Sequence, residues 1–305
     1  MLVPVLVGPT GVGKTALAAA IAERLPVEIV SADSRQVYRG LEIGTAAPTP
    51  AERAAVPYHG VGVVDPIERY SAGRFARDAA EWIAGTVARG RTPLVVGGTG
   101  LYVRALFDGL FEEPPLEPER RARLGVWLRA VPADRAERWA RRLDRGFRGG
   151  GRQRVQRVIE VALLAGRSLS DLQAAPVAPS GLRPWTVVLT RDRAVLHARI
   201  ARRTHAMLAA GWLDECRRAL AGGVAPTAPG LSAVGYREIV AHLDGRLAAA
   251  ALEPAIAQAT RQYAKRQETW FRHQLSGPVL RLDAGGAADV LAAAVISGYR
   301  AAAGA

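Results

Sequence analysis

Short runs of apolar residues alternate with longer segments of helical spacing along most of the chain. The apolar runs predict buried strands at Leu2–Val7, Val27–Val30, Pro93–Val96, Trp185–Leu189 and Val279–Leu282. Segments with helical periodicity follow them, for example Lys14–Leu25 and Arg74–Arg89. Strands that alternate with helices predict a parallel sheet joined by helical crossovers. The pattern therefore predicts an α/β fold.

The middle of the chain has a different pattern. Glu113-Pro114-Pro115 opens a segment that carries helical spacing but no strand pattern as far as about Gln173, and Ala175-Pro176-Val177-Ala178-Pro179 closes it. We expect a catalytic core formed by residues 1–112 and 176–305, with residues 113–175 as a helical insertion. Residues 138–157 contain eight arginines and one acid, Asp144. Such a run fits either a solvated helix face or a nucleic-acid contact.

A phosphate-binding loop is predicted directly after the first strand. The pattern Gly-x-x-x-x-Gly-Lys-Thr lies between a strand and a helix, where backbone N–H groups can surround phosphate oxygens. The lysine supplies a point charge and the threonine hydroxyl can bind Mg²⁺. The pattern leaves open whether ATP, another nucleotide or a non-nucleotide diphosphate binds. The predicted diphosphate-binding residues of the loop are Gly8, Pro9, Thr10, Gly11, Val12, Gly13, Lys14 and Thr15.

Two further polar residues follow predicted strands, at the edge where ligands of parallel sheets bind. Asp33 could hold Mg²⁺ through water, cap the next turn or accept a proton. Thr99, in Gly97-Gly98-Thr99-Gly100, lies either beside a ligand or in a tight turn. Arg203 lies one helical turn from Arg199 and either clamps a diphosphate or faces solvent. Together with the loop, these residues predict one active site.

Composition narrows the class of protein only in part. The 305 residues carry a net charge of +13, but all except two of the 41 basic residues are arginine, which indicates a general arginine bias. The two lysines, Lys14 and Lys265, are more informative because a guanidinium cannot replace a compact ammonium between phosphate oxygens. The single cysteine and the scattered histidines predict neither an internal disulfide nor a zinc site. We expect a cytoplasmic protein with no membrane span.

Several separate motifs resemble, in the same order, those of the tRNA dimethylallyltransferases, also called tRNA isopentenyltransferases. The resemblance covers nearly the whole chain, and its most specific part begins at Ser31 and ends at Ala46. The motifs that carry it are Gly8–Thr15, Ser31–Ala46, Tyr70-Ser71-Ala72, Gly97–Tyr102, Gln153-Arg154, Val234–Arg237 and Thr260–Trp270.

The resemblance implies a P-loop NTPase-like fold, flanked by helices, and a prenyl transfer to tRNA. The loop would hold the diphosphate of dimethylallyl diphosphate, with Mg²⁺ at Thr15, while N6 of the adenosine 3′ of the anticodon attacks the allylic carbon. By resemblance the catalytic residues are Asp33 as general base, Thr99 beside the flipped adenine, and Lys14 and Arg203 on the departing diphosphate. The tRNA-binding residues would be Asp33, Ser34, Arg35, Gln36, Thr99, Arg121, Gln153, Arg154, Val155, Gln156 and Arg157. The enzyme is expected to act as a monomer.

Three alternatives come from other classes of protein. A P-loop kinase of a small metabolite would consume ATP and would have no use for a basic helical insertion. A prenyltransferase of free adenine nucleotides would not need the insertion or Gln153–Arg157. A non-enzymatic nucleic-acid-binding module would leave Asp33 and Thr99 without a chemical task.

Overall fold

The structure is a computed structural model that describes residues 1–110, 116–174 and 181–304. Its described residues form one six-stranded sheet in which every neighbouring pair is parallel, in the order β3-β2-β4-β1-β5-β6. The strands are β1 (Leu2–Val7), β2 (Val27–Ser31), β3 (Tyr58–His59), β4 (Thr92–Gly97), β5 (Arg183–Thr190) and β6 (Val279–Asp283). The predicted parallel α/β sheet is confirmed. The short edge strand β3 was not predicted, because two residues carry no periodicity.

Helices surround the strands in the chain order that a parallel sheet requires. The α-helices are α1 (Lys14–Ala22), α2 (Glu42–Thr45), α3 (Pro50–Ala55), α4 (Ala72–Ala88), α5 (Gly100–Phe107), α6 (Pro118–Ala130), α7 (Ala133–Leu143), α8 (Arg152–Ala165), α9 (Leu169–Ala174), α10 (Arg193–Ala209), α11 (Trp212–Ala221), α12 (Tyr236–Leu243), α13 (Ala249–His273) and α14 (Ala288–Ala303). Helix α1 ends three residues earlier than predicted because Pro26 disfavours helical geometry at the residue before it.

The central strand β1 explains how the sheet is buried on both faces. Val3, Val5 and Val7 pack into one apolar cluster, whereas Leu6 packs into a second cluster with Leu17 of α1. Successive side chains of a strand point to opposite faces, so an unbroken apolar run is buried only when both faces are covered. The run Leu2–Val7 therefore specifies an interior strand, and the loop that follows it lies at the centre of the sheet edge.

The chain divides into two compact units. Unit 1 comprises Met1–Asp108 and Ser180–Ala305, and unit 2 comprises Gly109–Pro179. Within its described residues, 116–174, unit 2 contains helices α6–α9 and no strand, around a core of its own that includes Leu128, Val155 and Ile159. The boundaries predicted at Glu113-Pro114-Pro115 and Ala175–Pro179 lie outside the described residues. In the part of the chain that is described, no helix has both the length and the apolar composition to cross a membrane.

Candidate active site

The candidate site is formed by loops at the carboxyl edge of three adjacent strands, β2, β4 and β1. The Gly8–Thr15 loop follows β1 and runs directly into α1 at Lys14. Gly11 and Gly13 have φ angles of 81° and 122°, which other residues rarely adopt. The first N–H groups of a helix have no intrahelical acceptor, so this turn presents backbone donors to an anion.

Cationic side chains bond the carbonyl groups of this loop. Lys14 Nζ donates to the carbonyls of Gly8 at 2.8 Å and Pro9 at 2.9 Å. Arg199 Nε donates to the Gly11 carbonyl at 2.9 Å, and Arg191 Nε donates to the Val12 carbonyl at 3.1 Å. Three cations therefore stabilise the loop conformation from its carbonyl side.

Two of the predicted diphosphate ligands are cations in a poorly solvated position. Burial is the main cause that lowers the pKa of Lys14 to about 8; the Asp33 carboxylate acts in the opposite direction and Arg203 adds to the lowering. Burial also lowers the pKa of Arg203, again opposed by Asp33. Arg203 Nη1 lies 3.4 Å from Thr10 Oγ1. Because desolvation disfavours both cations, an anionic ligand bound at the loop would stabilise their charged forms.

Asp33 and Thr99 are brought together by hydrogen bonds between the ends of β2 and β4. The backbone N–H of Ser34 donates to Thr99 Oγ1 at 3.0 Å, and the backbone N–H of Thr99 donates to the Ala32 carbonyl at 3.1 Å. Asp33 Oδ1 accepts the backbone N–H of Arg35 at 2.8 Å, so this aspartate does hold the next turn. Asp33 also acts electrostatically on Lys14 and Arg203, which places it in the same site as the loop.

Arg35 and Gln36, predicted as tRNA contacts, hold neighbouring segments of unit 1. Arg35 Nη1 donates to the Pro229 carbonyl and to Ser232 Oγ, both at 3.1 Å. Gln36 accepts from Ser31 Oγ at 2.9 Å and donates to the Ala46 carbonyl at 3.0 Å. Both side chains are partly exposed, so these bonds leave part of their surface accessible.

Within unit 2, the residues predicted to bind tRNA fall into three groups. Arg121, Gln156 and Arg157 contact the buried carboxylate of Glu160, at 3.1, 2.8 and 3.7 Å. The Val155 side chain is buried in the core of the unit, which leaves only its backbone for any contact. The remaining two, Gln153 and Arg154, are exposed.

The sequence interpretation missed two residues of the site, Gln267 and Tyr263 of α13. Gln267 Oε1 accepts the backbone N–H of Thr10 at 2.8 Å, and its Nε2 donates to the Gly98 carbonyl at 2.8 Å. Burial, together with the Asp33 carboxylate, raises the pKa of Tyr263 to about 12. A hydrogen bond with Thr99 acts in the opposite direction. The sequence did contain a signal for Gln267. It is a polar residue at helical spacing between Ala264 and Phe271, which belong to the buried stripe of α13.

Comparisons with known proteins match one family across nearly the whole chain. A model of the IPP transferase family matches residues 36–274, and a model of isopentenyl transferases matches residues 1–56. The tRNA dimethylallyltransferase of Acidovorax sp. (strain JS42) is 44% identical over 304 residues, which cover 95% of this chain and 94% of the relative. That of Halorhodospira halophila is 46% identical over 290 residues, covering 91% and 92% of the two chains.

Solved structures show the same fold. A tRNA isopentenylpyrophosphate transferase from Bacillus halodurans superposes with a TM-score of 0.71 at 31% identity, over 99% of this chain and 95% of its own. A eukaryotic dimethylallyltransferase, captured in crystallographic snapshots of its action on tRNA, superposes with a TM-score of 0.76 at 26% identity. The superposition with the eukaryotic enzyme covers 93% of this chain and 74% of the eukaryotic chain.

The matches confirm the predicted P-loop NTPase-like fold and favour a prenyltransferase over the kinase alternative. They extend across both units, since the relatives cover nearly the full chain. The chain therefore belongs to the IPP transferase family.

Proposed function

We propose that this protein transfers the dimethylallyl group of dimethylallyl diphosphate to N6 of the adenosine 3′ of the anticodon, position 37 of the tRNA. The curated relatives carry the name tRNA dimethylallyltransferase, and the eukaryotic structure is of an enzyme acting on tRNA. The observation that carries the proposal is the position of Asp33, a carboxylate that acts electrostatically on the two cations of the phosphate loop. This arrangement supports a role for Asp33 as the proton acceptor beside the leaving group.

The leaving group would be bound by the Gly8–Thr15 loop. Backbone N–H groups at the start of α1 suit the diphosphate oxygens. Lys14 and Arg203 would stabilise the negative charge that grows on the diphosphate as the carbon–oxygen bond breaks. Burial disfavours the charged form of both side chains, and the negative charge of a bound diphosphate would offset that penalty.

Magnesium fits this site as a ligand shared with the substrate. The described residues contain no group of three or more His, Cys, Asp or Glu side chains that could hold a metal ion by themselves. Mg²⁺ is commonly held by substrate phosphates with one or two protein oxygens. Thr15, in the exposed first turn of α1, would supply that oxygen. Bound there, the ion would neutralise part of the charge on the diphosphate.

The acceptor would be activated by Asp33. N6 attacks the allylic carbon, the carbon–oxygen bond breaks with its electron pair staying on the diphosphate, and the proton of N6 passes to the Asp33 carboxylate. Thr99, bonded to the Ser34 backbone, would place the flipped adenine against this carboxylate. An adenine inside a stacked anticodon loop must be extruded to reach such a site, and loops release bases more readily than duplexes.

Residues of both units would contact the tRNA. In unit 1 these are Asp33 to Gln36 and Thr99. In unit 2 they are Arg121 and Gln153–Arg157, of which Val155 would contribute backbone only. Exposed arginines of the same unit would meet the phosphate backbone, which sets affinity and register without reading bases. These arginines are Arg142, Arg145, Arg148 and Arg154.

The test is incubation of the protein with labelled dimethylallyl diphosphate, Mg²⁺ and unmodified tRNA. We expect label on the tRNA and N6-dimethylallyladenosine in its nucleoside digest. The same reaction with AMP as acceptor should give no product, which separates this activity from that of a free-nucleotide prenyltransferase. Unlabelled tRNA together with phosphate release from ATP would overturn the proposal.

A further inference from the structure

We propose that Gln267 is a positioning residue that couples the phosphate loop to the loop of Thr99. This inference rests on the proposed function, because it concerns the alignment of diphosphate and acceptor. Gln267 lies on α13 within the Thr260–Trp270 motif, but it was not among the predicted site residues. Its basis is a pair of hydrogen bonds across 257 and 169 positions of sequence, to Thr10 and Gly98.

The orientation of the Gln267 carboxamide is dictated by its two partners. The backbone N–H of Thr10 can only donate, so it faces the amide oxygen, and the carbonyl of Gly98 can only accept, so it faces the amide nitrogen. The side chain is 6% exposed, so water competes poorly for either bond. Loss of the carboxamide would leave a buried carbonyl without this donor.

Glycine at position 98 is what lets the carboxamide approach. A Cβ at Gly98 would lie 2.3 Å from Gln267 Nε2, closer than any real contact. The same Cβ would lie 3.6 Å from the Gly8 carbonyl, which is ordinary contact. Gly98 therefore faces both the Gln267 carboxamide and the Gly8 carbonyl of the phosphate loop, and Gln267 joins the two loops at this point.

Both loops carry groups of the proposed reaction immediately beside the bonded residues. Thr10 lies beside Arg203, at 3.4 Å between Oγ1 and Nη1. Gly98 precedes Thr99, which accepts from the Ser34 backbone next to Asp33. Gln267 thus sets the distance between the leaving group and the acceptor. The conformation of the phosphate loop itself is held by other side chains, Lys14, Arg191 and Arg199. A displacement of about 1 Å between reacting groups can reduce a rate by about a hundredfold.

The first experiment measures single-turnover prenylation of tRNA by Gln267→Leu, with dimethylallyl diphosphate binding followed by calorimetry. We expect the rate at saturating substrates to fall by about tenfold to a hundredfold. The affinity and stoichiometry of diphosphate binding should remain those of the unaltered protein. Gln262→Leu is the matched control, because Gln262 is exposed on the same helix, and it should keep the full rate.

The second experiment approaches the same contact from the other loop and does not require Gln267→Leu to fold. Gly98→Ala should push the carboxamide aside and slow the reaction. Combined with Gln267→Ala, it should cost little more than either change alone, as expected of residues that act through one contact. Fully additive effects would overturn the inference.

A third measurement is independent of activity. Hydrogen exchange at the Thr10 amide should be faster in Gln267→Leu and unchanged in Gln262→Leu. If the unaltered protein transfers no prenyl group to tRNA, the proposed function fails, and this exchange rate still decides whether Gln267 holds the loop. The inference would be overturned by unchanged exchange at Thr10 or by an unchanged turnover rate. It would also be overturned if the rate fell only in proportion to the stoichiometry of diphosphate binding.

Discussion

The carboxylates of Asp33 and Glu160 lie in opposite surroundings, one in each unit. Glu160 is 4% exposed and is contacted by the side chains of Arg121, Gln156 and Arg157. Asp33 is partly exposed, and within the described residues its hydrogen bond comes from a backbone N–H, that of Arg35. The cations of its site, Lys14 and Arg203, act on it through space rather than by direct pairing.

The difference separates a carboxylate that stabilises the fold from one that is available for chemistry. Both oxygens of Glu160 accept hydrogen bonds from side chains of unit 2, whereas Asp33 lies beside the phosphate loop. The same comparison applies to the basic residues. Unit 2 has many exposed arginines, and two of them form the i,i+4 pairs Arg138–Asp134 and Arg141–Glu137. In the candidate active site, Lys14 and Arg203 are half-buried, and the desolvation that lowers their pKa makes them distinctive.

The contrast between Asp33 and Glu160 would be wrong if removal of the Asp33 carboxylate left prenyl transfer unchanged. Asp33→Ala should reduce prenyl transfer by about a hundredfold to ten-thousandfold, because general-base catalysis is lost. Dimethylallyl diphosphate should still bind, since the loop is unchanged. Single-turnover kinetics and calorimetry measure the two effects. Asp65→Ala, which removes an exposed partner of Arg39, should keep full turnover.

The contribution of the cations beside Asp33 to diphosphate binding can be tested by removing a charge and by changing the pH. Lys14→Ala should weaken diphosphate binding by about tenfold to a hundredfold, the value of a charge-assisted hydrogen bond. In the unaltered protein Lys14 has a pKa of about 8, so it is charged below that pH and loses its charge as the pH rises through it. Affinity for the diphosphate should therefore fall as the pH rises through about 8.

Asp33→Asn sharpens this test. The Asp33 carboxylate raises the pKa of Lys14, so its removal should shift the alkaline loss of affinity to lower pH. The measurement is the dissociation constant of dimethylallyl diphosphate across the pH range. A profile that does not move would show that the two side chains are not coupled.

For Glu160 the comparison predicts a loss of stability rather than of chemistry. Glu160→Ala should destabilise unit 2 by about 1–3 kcal/mol, since Arg121 and Arg157 each lose a carboxylate partner. Hydrogen exchange over residues 116–174 measures this change. Glu137→Ala is the control, because its pair with Arg141 is exposed and should contribute about 0.5 kcal/mol or less. Equal losses in the two variants would contradict the contrast.

The smallest effect is expected at the exposed arginines. Arg154→Ala should weaken tRNA binding by only a fewfold and lower its dependence on salt concentration by about one unit of logarithmic slope. Filter binding at several salt concentrations measures both. Arg217→Ala, an exposed arginine of unit 1 paired with Asp214, is the control. If tRNA binding does not respond to salt, the arginines of residues 138–157 form a solvated helix face and not a nucleic-acid contact.

Local features were predictable because the signals that specify them are local. The apolar run Leu2–Val7, the glycines after it and Lys14 lie within 14 consecutive positions, and the structure contains the strand, turn and helix that they predict. The helical character of unit 2 followed in the same way from its spacing. Asp33 and Thr99 could be placed at one edge because parallel strands end on the same side of a sheet.

Contacts between distant segments could not be predicted. Val155 belongs to a run that the family resemblance associates with tRNA, but the packing of α8 directs its side chain into the core. Gln156 contacts Glu160 from one turn away on α8, but Arg121 lies 39 positions from Glu160, and only the packing of α6 against α8 brings these two side chains together. A polar residue in a buried helical stripe indicated that Gln267 had a partner, without identifying it.

The sequence by itself determined the phosphate loop, the parallel α/β core and the family, because each depends on short patterns in a set order. The tertiary structure alone decided which carboxylate is engaged by cations, which cations are buried, and that α13 supplies the amide between Thr10 and Gly98. The physical reason is that solvation and hydrogen-bond partners depend on distances between segments. Those distances exist only after the chain has packed.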